Sequence, residues 1–413
     1  MKRESDLLEA TLAHLRALVA FDTRNPPRAI GADGIFDYLR SQLPGFDVRV
    51  TDHGAGAVSL YAVRGKPKLL FNVHLDTVPD SPAWSASPFE LRVTDERAIG
   101  LGACDIKGAA AALLAAANAG RGDSALLFST DEEGADARCI SAYLASHPSP
   151  LWKSAIHGAR APWWREAPDE GTRTDGGPDN AEPSPPTPLP EGEGSFEAVI
   201  VAEPTCCEAV LAHRGIQSLL ARFKGRAGHA SGAQGPADSA LHQAVRWSHA
   251  ALEHAESRAQ EGFGGLHGLR FNLGRIEGGI KSNMIAPEAE VRFGMRPLPS
   301  MDMDALRETL RTLVDPRPVE FLETFRGAPL PAETAHAEAR QRDARGLAEA
   351  LGIPVGAAVD FWTEAALFSA AGYTTFVYGP GDIAQAHSAD EWVALDQLEC
   401  VADTYLRLLE QAQ

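Results

Sequence analysis

Short apolar runs that end next to histidine or acidic residues recur along this chain. Runs that are nearly all apolar are typical of parallel strands buried on both faces of a sheet. In open α/β sheets, ligands bind at the carboxyl ends of such strands. The pattern therefore predicts a buried sheet whose carboxyl edge carries a polar site. The four predicted strands cover residues 68–73, 124–130, 197–202 and 374–378.

The polar residues that follow these runs are the first candidates for that site. They are His74, Asp76, Glu132, Glu133, Glu203 and, one loop after the fourth run, His387. Residues i and i+2 of a strand point the same way, so Asp76 can approach His74 from behind and accept its second ring N–H. Each residue alone has an ordinary explanation, such as a turn or a solvated acidic loop. Their joint placement at strand ends favours one shared site.

A glycine-rich segment between the first two predicted strands adds another carboxylate. Residues 100–108 have the sequence GLGACDIKG and lead into an alanine-rich run, residues 109–119, that predicts a helix. Asp105 then lies near the helix N-terminus, where it could also be an ordinary helix cap. Two imidazoles and several carboxylates, without a thiolate, suit Zn²⁺, Co²⁺ or Mn²⁺ in a catalytic site. The sequence thus predicts a metal site.

The order of these motifs resembles that of a known family. The motifs are His74-x-Asp76, Asp105 in Gly-x-Cys-Asp-x-Lys-Gly, Glu132-Glu133, Glu203-Pro204 and the late His387. They are similar to those of the co-catalytic zinc exopeptidases, which include acetylornithine deacetylase, succinyl-diaminopimelate desuccinylase, aminoacylase and glutamate carboxypeptidase. The resemblance spans most of the chain. It implies an α/β catalytic domain with a central, mostly parallel sheet flanked by helices, plus an inserted βαββαβ lid and dimerisation domain.

The resemblance implies a set of five metal ligands. They are His74, Asp105, Glu133, Glu203 and His387. Asp105 would bridge two ions. His74 and Glu203 would complete the ligands of one ion, and Glu133 and His387 would complete those of the other. The implied cofactor is Zn²⁺ or Co²⁺, with one or two divalent ions per subunit.

Three further residues have implied catalytic roles. Glu132 would be the general base that activates a water and later returns the proton to the departing amine, as hydrolysis of an amide requires. Asp76 would orient His74. His229, in the sequence GRAGHAS, matches the lid motif of the family, whose histidine crosses from the partner subunit to stabilise the tetrahedral oxyanion.

The resemblance also indicates substrate-binding residues. Asn283, in KSNMI, and Arg296, in MRPLP, occupy positions where relatives hold the substrate carboxylate. Arginine suits that role because its guanidinium can bind a carboxylate with two hydrogen bonds. Arg214 is a weaker candidate for the same role, with a surface position at the lid hinge as the alternative. Thr363, in the sequence WTEA, belongs to a C-terminal pattern similar to the acetylornithine deacetylase branch.

That branch removes an acetyl group from the α-nitrogen of an amino acid. The implied reaction is hydrolysis of an N2-acetyl-L-amino acid in arginine biosynthesis, with N-acetyl-L-citrulline favoured and N-acetyl-L-ornithine second. No side chain in the sequence separates these two substrates. Two alternatives stay open. One is a dipeptidase or carboxypeptidase of the same chemistry, and the other is a catalytically silent binding protein, for which neither Glu132 nor His229 would be needed.

Composition and charge limit the partners. The chain has a net charge of −18 and no basic run, which disfavours nucleic acid and anionic membranes. Its first residues predict an amphipathic helix, not a signal or membrane-spanning segment, because apolar residues recur at helical spacing. These are Leu8, Leu12, Leu15 and Val19. We expect a cytoplasmic homodimer that acts on a small molecule.

Cysteine usage agrees with a reducing compartment. The chain has 5 cysteines and no Cys-x-x-Cys pair, as expected for reduced thiols. The adjacent Cys206 and Cys207 suggest metal or redox chemistry, but a structural role is favoured.

The 413 residues are enough for more than one core, and residues 213–325 predict a separate module. Its predicted elements alternate in the order βαββαβ, over residues 217–223, 236–256, 269–276, 289–295, 303–314 and 319–322. Five residues of the long helix are spaced to form the face that packs on the sheet. They are Leu241, Val245, Ser248, Leu252 and Ala255. The catalytic domain would then consist of residues 1–212 and 326–413.

One segment departs from this pattern. Residues 162–194 contain 8 prolines, 5 glycines and 8 acidic residues against 2 arginines. Such a composition cannot bury enough apolar surface to offset the entropy lost on ordering. The sequence therefore predicts a disordered insertion over about residues 150–195, in preference to a partner-binding motif.

Overall fold

The structure is a computed structural model that describes residues 2–134, 137–147, 196–232 and 238–411. The chain divides into two compact units. Unit 1 comprises Met1–Cys207 and Phe368–Gln413, and unit 2 comprises Glu208–Leu367. The predicted insertion at about residues 150–195 and the predicted helix start at residue 236 lie outside the described residues.

Helices and strands are interspersed along the described chain, and several strands follow one another without a helix between them. The helices are α1 (Lys2–Val19), α2 (Ile35–Ser41), α3 (Lys107–Ala119), α4 (Arg138–Ser146), α5 (Ala240–Ser257), α6 (Met303–Arg311), α7 (Ala337–Ala350), α8 (Ala365–Ala370) and α9 (Leu395–Gln411). Short 3₁₀ turns cover Thr334–His336 and Ile383–Gln385. Within the described ranges, no helix is long and apolar enough to cross a membrane.

The strands are short and belong to five sheets among the described residues. They are β1 (Asp47–Asp52), β2 (Val58–Arg64), β3 (Leu69–His74), β4 (Arg92–Val93), β5 (Arg97–Ile99), β6 (Ser124–Ser129), β7 (Ala198–Val201), β8 (Ile216–Lys224), β9 (Gly228–His229), β10 (Gly262–Phe263), β11 (Leu266–His267), β12 (Arg270–Gly278), β13 (Met284–Ile285), β14 (Glu288–Arg296), β15 (Glu320–Gly327), β16 (Thr374–Val377) and β17 (Trp392–Ala394). The four strands predicted from apolar runs correspond to β3, β6, β7 and β16.

Unit 1 is built on a six-stranded sheet in the order β1-β2-β6-β3-β7-β16. Strand β3 runs parallel to β6 and β7, and β16 runs parallel to β7. Strands β1 and β2 are antiparallel to each other, and β2 is antiparallel to β6. The sheet is thus mixed, with a parallel centre. Strands β3 and β6 are buried at every position, as their apolar runs predict.

An alanine-rich helix supports this unit. Helix α3 is buried along most of its length and packs against α1 and α9. Alanine is the best helix former and takes little space, so neighbouring helices can approach closely. Gly108, in its first turn, is needed for the same reason, because an added Cβ would lie 2.3 Å from the carbonyl oxygen of Ala103.

Unit 2 contains the predicted βαββαβ order. Its main sheet is antiparallel, in the order β12-β14-β8-β15, and its helices in chain order are α5 and α6. Trp247 of α5 lies at the centre of the core, with Phe223, Phe293 and Phe321 around its ring. Its indole N–H donates to the carbonyl oxygen of Leu310 at 2.7 Å, so the buried polar atom is satisfied.

The face of α5 that packs on the sheet differs from the prediction. Val245 and Leu252 are 53% and 39% exposed, so this part of the prediction was wrong. The buried face is formed mainly by small residues around one large ring. These are Ala240, Ala244, Trp247, Ala251 and Ala255. Alanines let the helix lie close to the sheet, and the indole fills the remaining space.

The predicted boundary at residue 325 also differs from the division by contacts, in which unit 2 continues to Leu367. Backbone hydrogen bonds give the reason. His213 and Leu330 exchange two bonds, of 3.0 and 3.1 Å, and Ala209 N–H donates to the carbonyl oxygen of Pro354 at 2.7 Å. These bonds join the segment after β15 to the residues just before β8.

Candidate metal centre

Five imidazole and carboxylate side chains meet at one edge of the unit 1 sheet. His74 ends β3, Glu133 follows β6 and Glu203 follows β7. These strands are parallel neighbours, so their carboxyl ends share an edge. Asp105 lies just before α3, and His387 follows the 3₁₀ turn after β16. The predicted ligands are therefore brought together.

The five side chains form two groups that share Asp105. In the first, His74 Nε2 lies 3.2 Å from Asp105 Oδ1 and 3.7 Å from Glu203 Oε1. In the second, His387 Nε2 lies 3.1 Å from both Asp105 Oδ2 and Glu133 Oε1. Within each group, one ligand atom per residue lies within 4.8 Å of the others. Each carboxylate oxygen of Asp105 thus faces a different group.

The electrostatics of these groups suit divalent cations. Among the described residues, no group donates a hydrogen bond to the buried Oδ1 of Asp105, which leaves a lone pair directed into the first group. Hydrogen bonds to Asp105 and Glu133 raise the pKa of His387 to about 11. Burial disfavours a charged His74, yet contacts with Asp105 and Asp76 raise its pKa well above the ordinary value. The site attracts positive charge, and its nitrogen and oxygen donors fit a pair of divalent ions.

Asp76 supports His74 and the segment after β6. His74 Nδ1 lies 3.0 Å from the backbone oxygen of Asp76 and 3.4 Å from its Oδ1. A carbonyl oxygen only accepts, so in the neutral ring Nδ1 carries the proton and Nε2 is left to bind a cation. Oδ2 of Asp76 accepts hydrogen bonds from Asn25 Nδ2 at 2.8 Å and from the Glu133 backbone N–H at 3.0 Å. One carboxylate therefore ties three segments together.

Glu132 lies beside these groups but belongs to neither set of candidate ligands found among the described residues. Its side chain is partly buried. Burial raises the pKa of Glu132 well above its ordinary value, and the neighbouring carboxylates raise it further against the opposing effect of His74. A raised pKa brings a carboxyl group closer to the range in which a general base and acid exchanges protons.

Glu391 holds the backbone around Asp105 and was missed by the sequence analysis. Its Oε1 accepts the N–H groups of Asp105 at 2.8 Å and Cys104 at 2.9 Å, and its Oε2 accepts that of Gly102 at 2.9 Å. Burial raises the pKa of Glu391 to about 7, although these backbone bonds oppose the rise. The only feature of the sequence that marks Glu391 is its position directly before the short apolar strand β17.

Replacing Glu391 by glutamine should weaken metal binding. An amide offers one oxygen and directs N–H groups at backbone donors, so the Asp105 segment would lose part of its support. Loss of such support around a ligand costs about 10- to 100-fold in metal affinity. Competition with a chelating dye measures this, with exposed Glu96→Gln as the control. Equal affinity in Glu391→Gln and the unaltered protein would contradict the positioning role.

Unit 2 brings His229 and Asn283 to one short ribbon. His229 in β9 pairs with Met284 in β13, and the Ala230 N–H donates to the carbonyl oxygen of Asn283 at 3.0 Å. The His229 ring is exposed, and its Nδ1 lies 2.7 Å from the hydroxyl of Ser231. The contact with Ser231 therefore orients the ring through Nδ1 and leaves Nε2 available to other groups.

Arg296 lies elsewhere in unit 2, at a cavity of about 290 Å³. The cavity is also lined by Gln217, Arg270 and Asn272. Arg270 and Arg296 are cross-strand partners on β12 and β14. Burial lowers the pKa of Arg296. The guanidinium groups of Arg270 and Arg296 give this cavity a donor-rich side that suits an anion such as a carboxylate.

Arg214 and Thr363 have structural contacts within unit 2. The Arg214 guanidinium is buried and donates to the carbonyl oxygens of His267 and Gly268 at 2.7 and 2.6 Å, and to the carboxylate of Asp360. Thr363 is fully buried, and its hydroxyl accepts the Ala365 N–H at 3.2 Å at the start of α8. These bonds occupy the groups that the sequence analysis assigned to substrate binding.

His213 joins these two residues. Its Nδ1 lies 2.8 Å from the Arg214 carbonyl oxygen and therefore carries the proton, so Nε2 accepts from the Thr363 hydroxyl at 3.1 Å. Burial lowers the pKa of His213 from 6.5 to about 4, although the bond to Arg214 opposes this. The folded state thus requires a neutral ring.

His213 should make stability fall at acidic pH. Its folded pKa is lower than its unfolded pKa, so the unfolded state binds the proton first as pH falls below 6.5. The stability is fully present above that pH and decreases toward pH 4, by about 3 kcal/mol in total. Urea unfolding at pH 7.5 and pH 5 tests this. His213→Gln should reduce the difference in unfolding free energy between the two pH values, whereas His242→Gln, at an exposed histidine, should not. The same difference in the unaltered protein and both variants would contradict this role of His213.

Comparison with known proteins identifies the family. The sequence profile of peptidase family M20/M25/M40 matches residues 70–411, and the chain belongs to this family. The family resemblance inferred from the motifs is confirmed. N-acetyl-L-citrulline deacetylase of Xanthomonas campestris pv. campestris is 60% identical over 407 residues, which cover 98% of this chain and 99% of that protein. Acetylornithine deacetylase of Vibrio vulnificus is 27% identical over 387 residues, 89% of this chain and 88% of that protein.

Solved structures agree in fold. An M20 family metallo-carboxypeptidase from Sulfolobus solfataricus matches with a TM-score of 0.64 and 14% identity, over 97% of this chain and 98% of that one. Aminopeptidase PepT from Bacillus cereus matches with a TM-score of 0.62 and 17% identity, over 98% of both chains. These matches confirm the α/β fold of the family.

Proposed function

We propose that this metallo-hydrolase of the M20 family removes the acetyl group from N-acetyl-L-citrulline, releasing acetate and L-citrulline. The 60% identity with N-acetyl-L-citrulline deacetylase across nearly the whole of both chains carries the proposal. N-acetyl-L-ornithine is the second candidate substrate, since acetylornithine deacetylases are similar at a lower identity of 26–29%. Either reaction belongs with arginine biosynthesis.

Five side chains would hold the divalent ions. His74 and Glu203 would bind one ion and Glu133 and His387 a second, with Asp105 shared by both, as the grouping of their ligand atoms supports. The nitrogen and carboxylate donors suit Zn²⁺ or Co²⁺. When bound, such ions lower the pKa of water and polarise an amide carbonyl.

Glu132 would move the proton. As general base it accepts a proton from the attacking water, and as general acid it returns that proton to the departing amine nitrogen. The raised pKa that burial gives Glu132 supports this role, because the carboxyl group must hold the proton between the two transfers. Asp76 would keep His74 oriented through its two contacts with Nδ1.

Residues of unit 2 would bind the substrate. His229 would donate an N–H to the tetrahedral oxyanion, a role that its exposed ring and the contact of its Nδ1 with Ser231 support. Arg296 would bind the α-carboxylate, and the donor-rich cavity beside it supports that assignment. Asn283 would contact the substrate from the ribbon that carries His229. For Arg214 and Thr363 we propose a structural role, since their polar atoms bond to neighbours in the same unit.

The working form would be a cytoplasmic homodimer. Apolar side chains on the outer face of α5 support association of two copies, because Val245 and Leu252 are 53% and 39% exposed. The five cysteines form no disulfide, which supports a reducing compartment.

Acetate release tests the proposed substrate. Metal-stripped protein, reloaded with Zn²⁺ or Co²⁺, would be given N-acetyl-L-citrulline, N-acetyl-L-ornithine and a dipeptide with a free amine. We expect a preference of at least tenfold in kcat/KM for N-acetyl-L-citrulline, about 1.4 kcal/mol in transition-state binding. Preference for N-acetyl-L-ornithine would identify that compound as the substrate. Turnover of the dipeptide alone would show that the protein is a dipeptidase and not a deacetylase.

A further inference from the structure

Cys207 and Cys400 form a pair of thiols in unit 1, outside the candidate metal ligands. Cys207 Sγ lies 3.6 Å from the carbonyl oxygen of Gln397, in the first turn of α9. Cys400 follows three residues later on that helix, and residues at this spacing are neighbours on one helix face. The Cys207 thiol therefore packs on the turn of α9 that carries Cys400. A thiol in this position is placed to form a disulfide with the second cysteine, since a disulfide joins cysteines whose Cα atoms lie about 4.4–6.8 Å apart.

The two thiols differ in a way that suits stepwise oxidation. Cys400 is exposed, and the hydrogen bond from Cys207 lowers its pKa to about 6 against the opposing effect of burial. The thiolate is the reactive form of cysteine, so Cys400 is the nucleophile of the pair. Cys207 keeps its proton, since the hydrogen bond to Cys400 and burial both raise its pKa. Cys104 and Cys139 are buried and serve as internal references.

Cys207 also lies where the segment after Glu203 meets α9. The backbone N–H of Cys207 donates to the carbonyl oxygen of Gly379 at 3.0 Å. Gly379 packs so closely on Glu203 that an added Cβ would lie 2.6 Å from the Glu203 carbonyl oxygen. In the same region, Gln397 Oε1 accepts the Gly381 N–H at 2.6 Å. A bond between the two sulfur atoms would therefore attach the short segment that contains Glu203 and Cys207 to the C-terminal helix α9.

We propose that Cys207 and Cys400 are an oxidation site, at which hydrogen peroxide converts the two thiols into an intramolecular disulfide. The Cys400 thiolate attacks one peroxide oxygen, the O–O bond breaks, and a sulfenic acid forms on Cys400 as hydroxide leaves. The Cys207 sulfur then attacks the Cys400 sulfur, the S–O bond breaks, and water leaves. Two thiols are oxidised and one peroxide is reduced to water. This differs from the structural role that the sequence favours for Cys207.

The disulfide would enclose the whole of unit 2 in one covalent loop, because Glu208–Leu367 lies between the two cysteines. Closing a long loop restricts the unfolded chain and stabilises the folded state. We therefore expect the oxidised protein to melt at a higher temperature than the reduced protein, and a thiol reductant to reverse the difference.

Peptide mapping tests the proposal. The full-length, metal-loaded protein is treated with one equivalent of hydrogen peroxide, its remaining thiols are alkylated without reduction, and the digest is analysed by mass spectrometry. We expect a reducible cross-link between the peptides of Cys207 and Cys400, with Cys104 and Cys139 alkylated only after unfolding. Recovery of both Cys207 and Cys400 as separate peptides, alkylated or singly oxidised, would overturn the proposal.

Variants distinguish Cys207 from its neighbour. Cys206→Ser should keep the cross-link and the rise in melting temperature, whereas Cys207→Ser and Cys400→Ser should lose both. Loss of the cross-link in Cys206→Ser would assign the chemistry to Cys206 and overturn the pairing. The mapping of the unaltered protein is decisive even where a serine variant folds poorly.

Discussion

Replacement of Glu132 by glutamine is expected to lower kcat by at least about 10³-fold while the bound metal stays unchanged. Glutamine keeps the size and hydrogen-bonding shape of the side chain but can neither accept the proton from water nor return it to the amine. Metal content should be preserved because Glu132 belongs to neither group of candidate ligands among the described residues. A loss of kcat with unchanged metal content would therefore show that Glu132 transfers the proton and does not bind the metal.

The measurement combines single-substrate kinetics with metal analysis of the same preparation. Glu197→Gln is the matched control, since Glu197 is exposed in the structure and should keep full activity. A pH profile adds a second test, because a variant without the titrating carboxyl group should lose the corresponding limb of the profile. Activity of Glu132→Gln within a few-fold of the unaltered protein would refute the assignment of the base.

Replacement of Asp105 by asparagine is expected to remove both bound metal and activity. Its two carboxylate oxygens face different groups, Oδ1 toward His74 and Oδ2 toward His387. Asparagine keeps one oxygen and turns the other into an N–H group, which cannot bind a cation. We expect metal affinity to fall by more than about 100-fold, beyond the usual effect of residues that only support a ligand.

A second substitution gives this result its control. Glu203 belongs to only one of the two groups, so Glu203→Gln should retain more metal than Asp105→Asn. Metal content by mass spectrometry, with circular dichroism to check the fold, measures the difference. Equal metal content in Asp105→Asn and the unaltered protein would rule out a shared ligand at this position.

The candidate ligands could be predicted from the sequence because each follows a strong local pattern. Strands β3, β6 and β7 are mostly apolar and buried along their length, and a polar residue that follows such a run is expected at the sheet edge. Parallel neighbours then bring His74, Glu133 and Glu203 together without further information. Asp105 has a comparable signal, a glycine-rich segment that opens an alanine-rich helix.

Residues that support the site through long-range contacts have no such pattern. Glu391 accepts three backbone N–H groups of residues nearly 300 positions earlier, with sequence separations of 286 to 289. Asn25 binds Asp76, which is 51 residues away. None of these hydrogen bonds leaves a periodic pattern in the sequence. Only the folded structure shows which backbone groups lack partners and which carboxylate satisfies them.

The packing of α5 shows a second limit of sequence patterns. Val245 and Leu252 suggest a buried face by their hydrophobicity, whereas the structure buries Ala244 and Trp247. A row of alanines is only weakly hydrophobic, but it allows the helix to lie close to the sheet. Its burial therefore depends on the shape of the opposing sheet. The burial of Arg214 is equally hard to predict from the sequence, because the partners of its guanidinium lie on segments distant in the sequence.

The decisive measurement is a titration of the metal-stripped protein with Co²⁺, in which bound metal and acetate release from N-acetyl-L-citrulline are followed together. We expect no acetate release in the presence of a chelator and recovery of release as the ions bind. His74→Ala and His387→Ala should each reduce the number of ions bound at saturation. Full release by the stripped protein, or no release at any metal loading, would contradict a metal-dependent deacetylase.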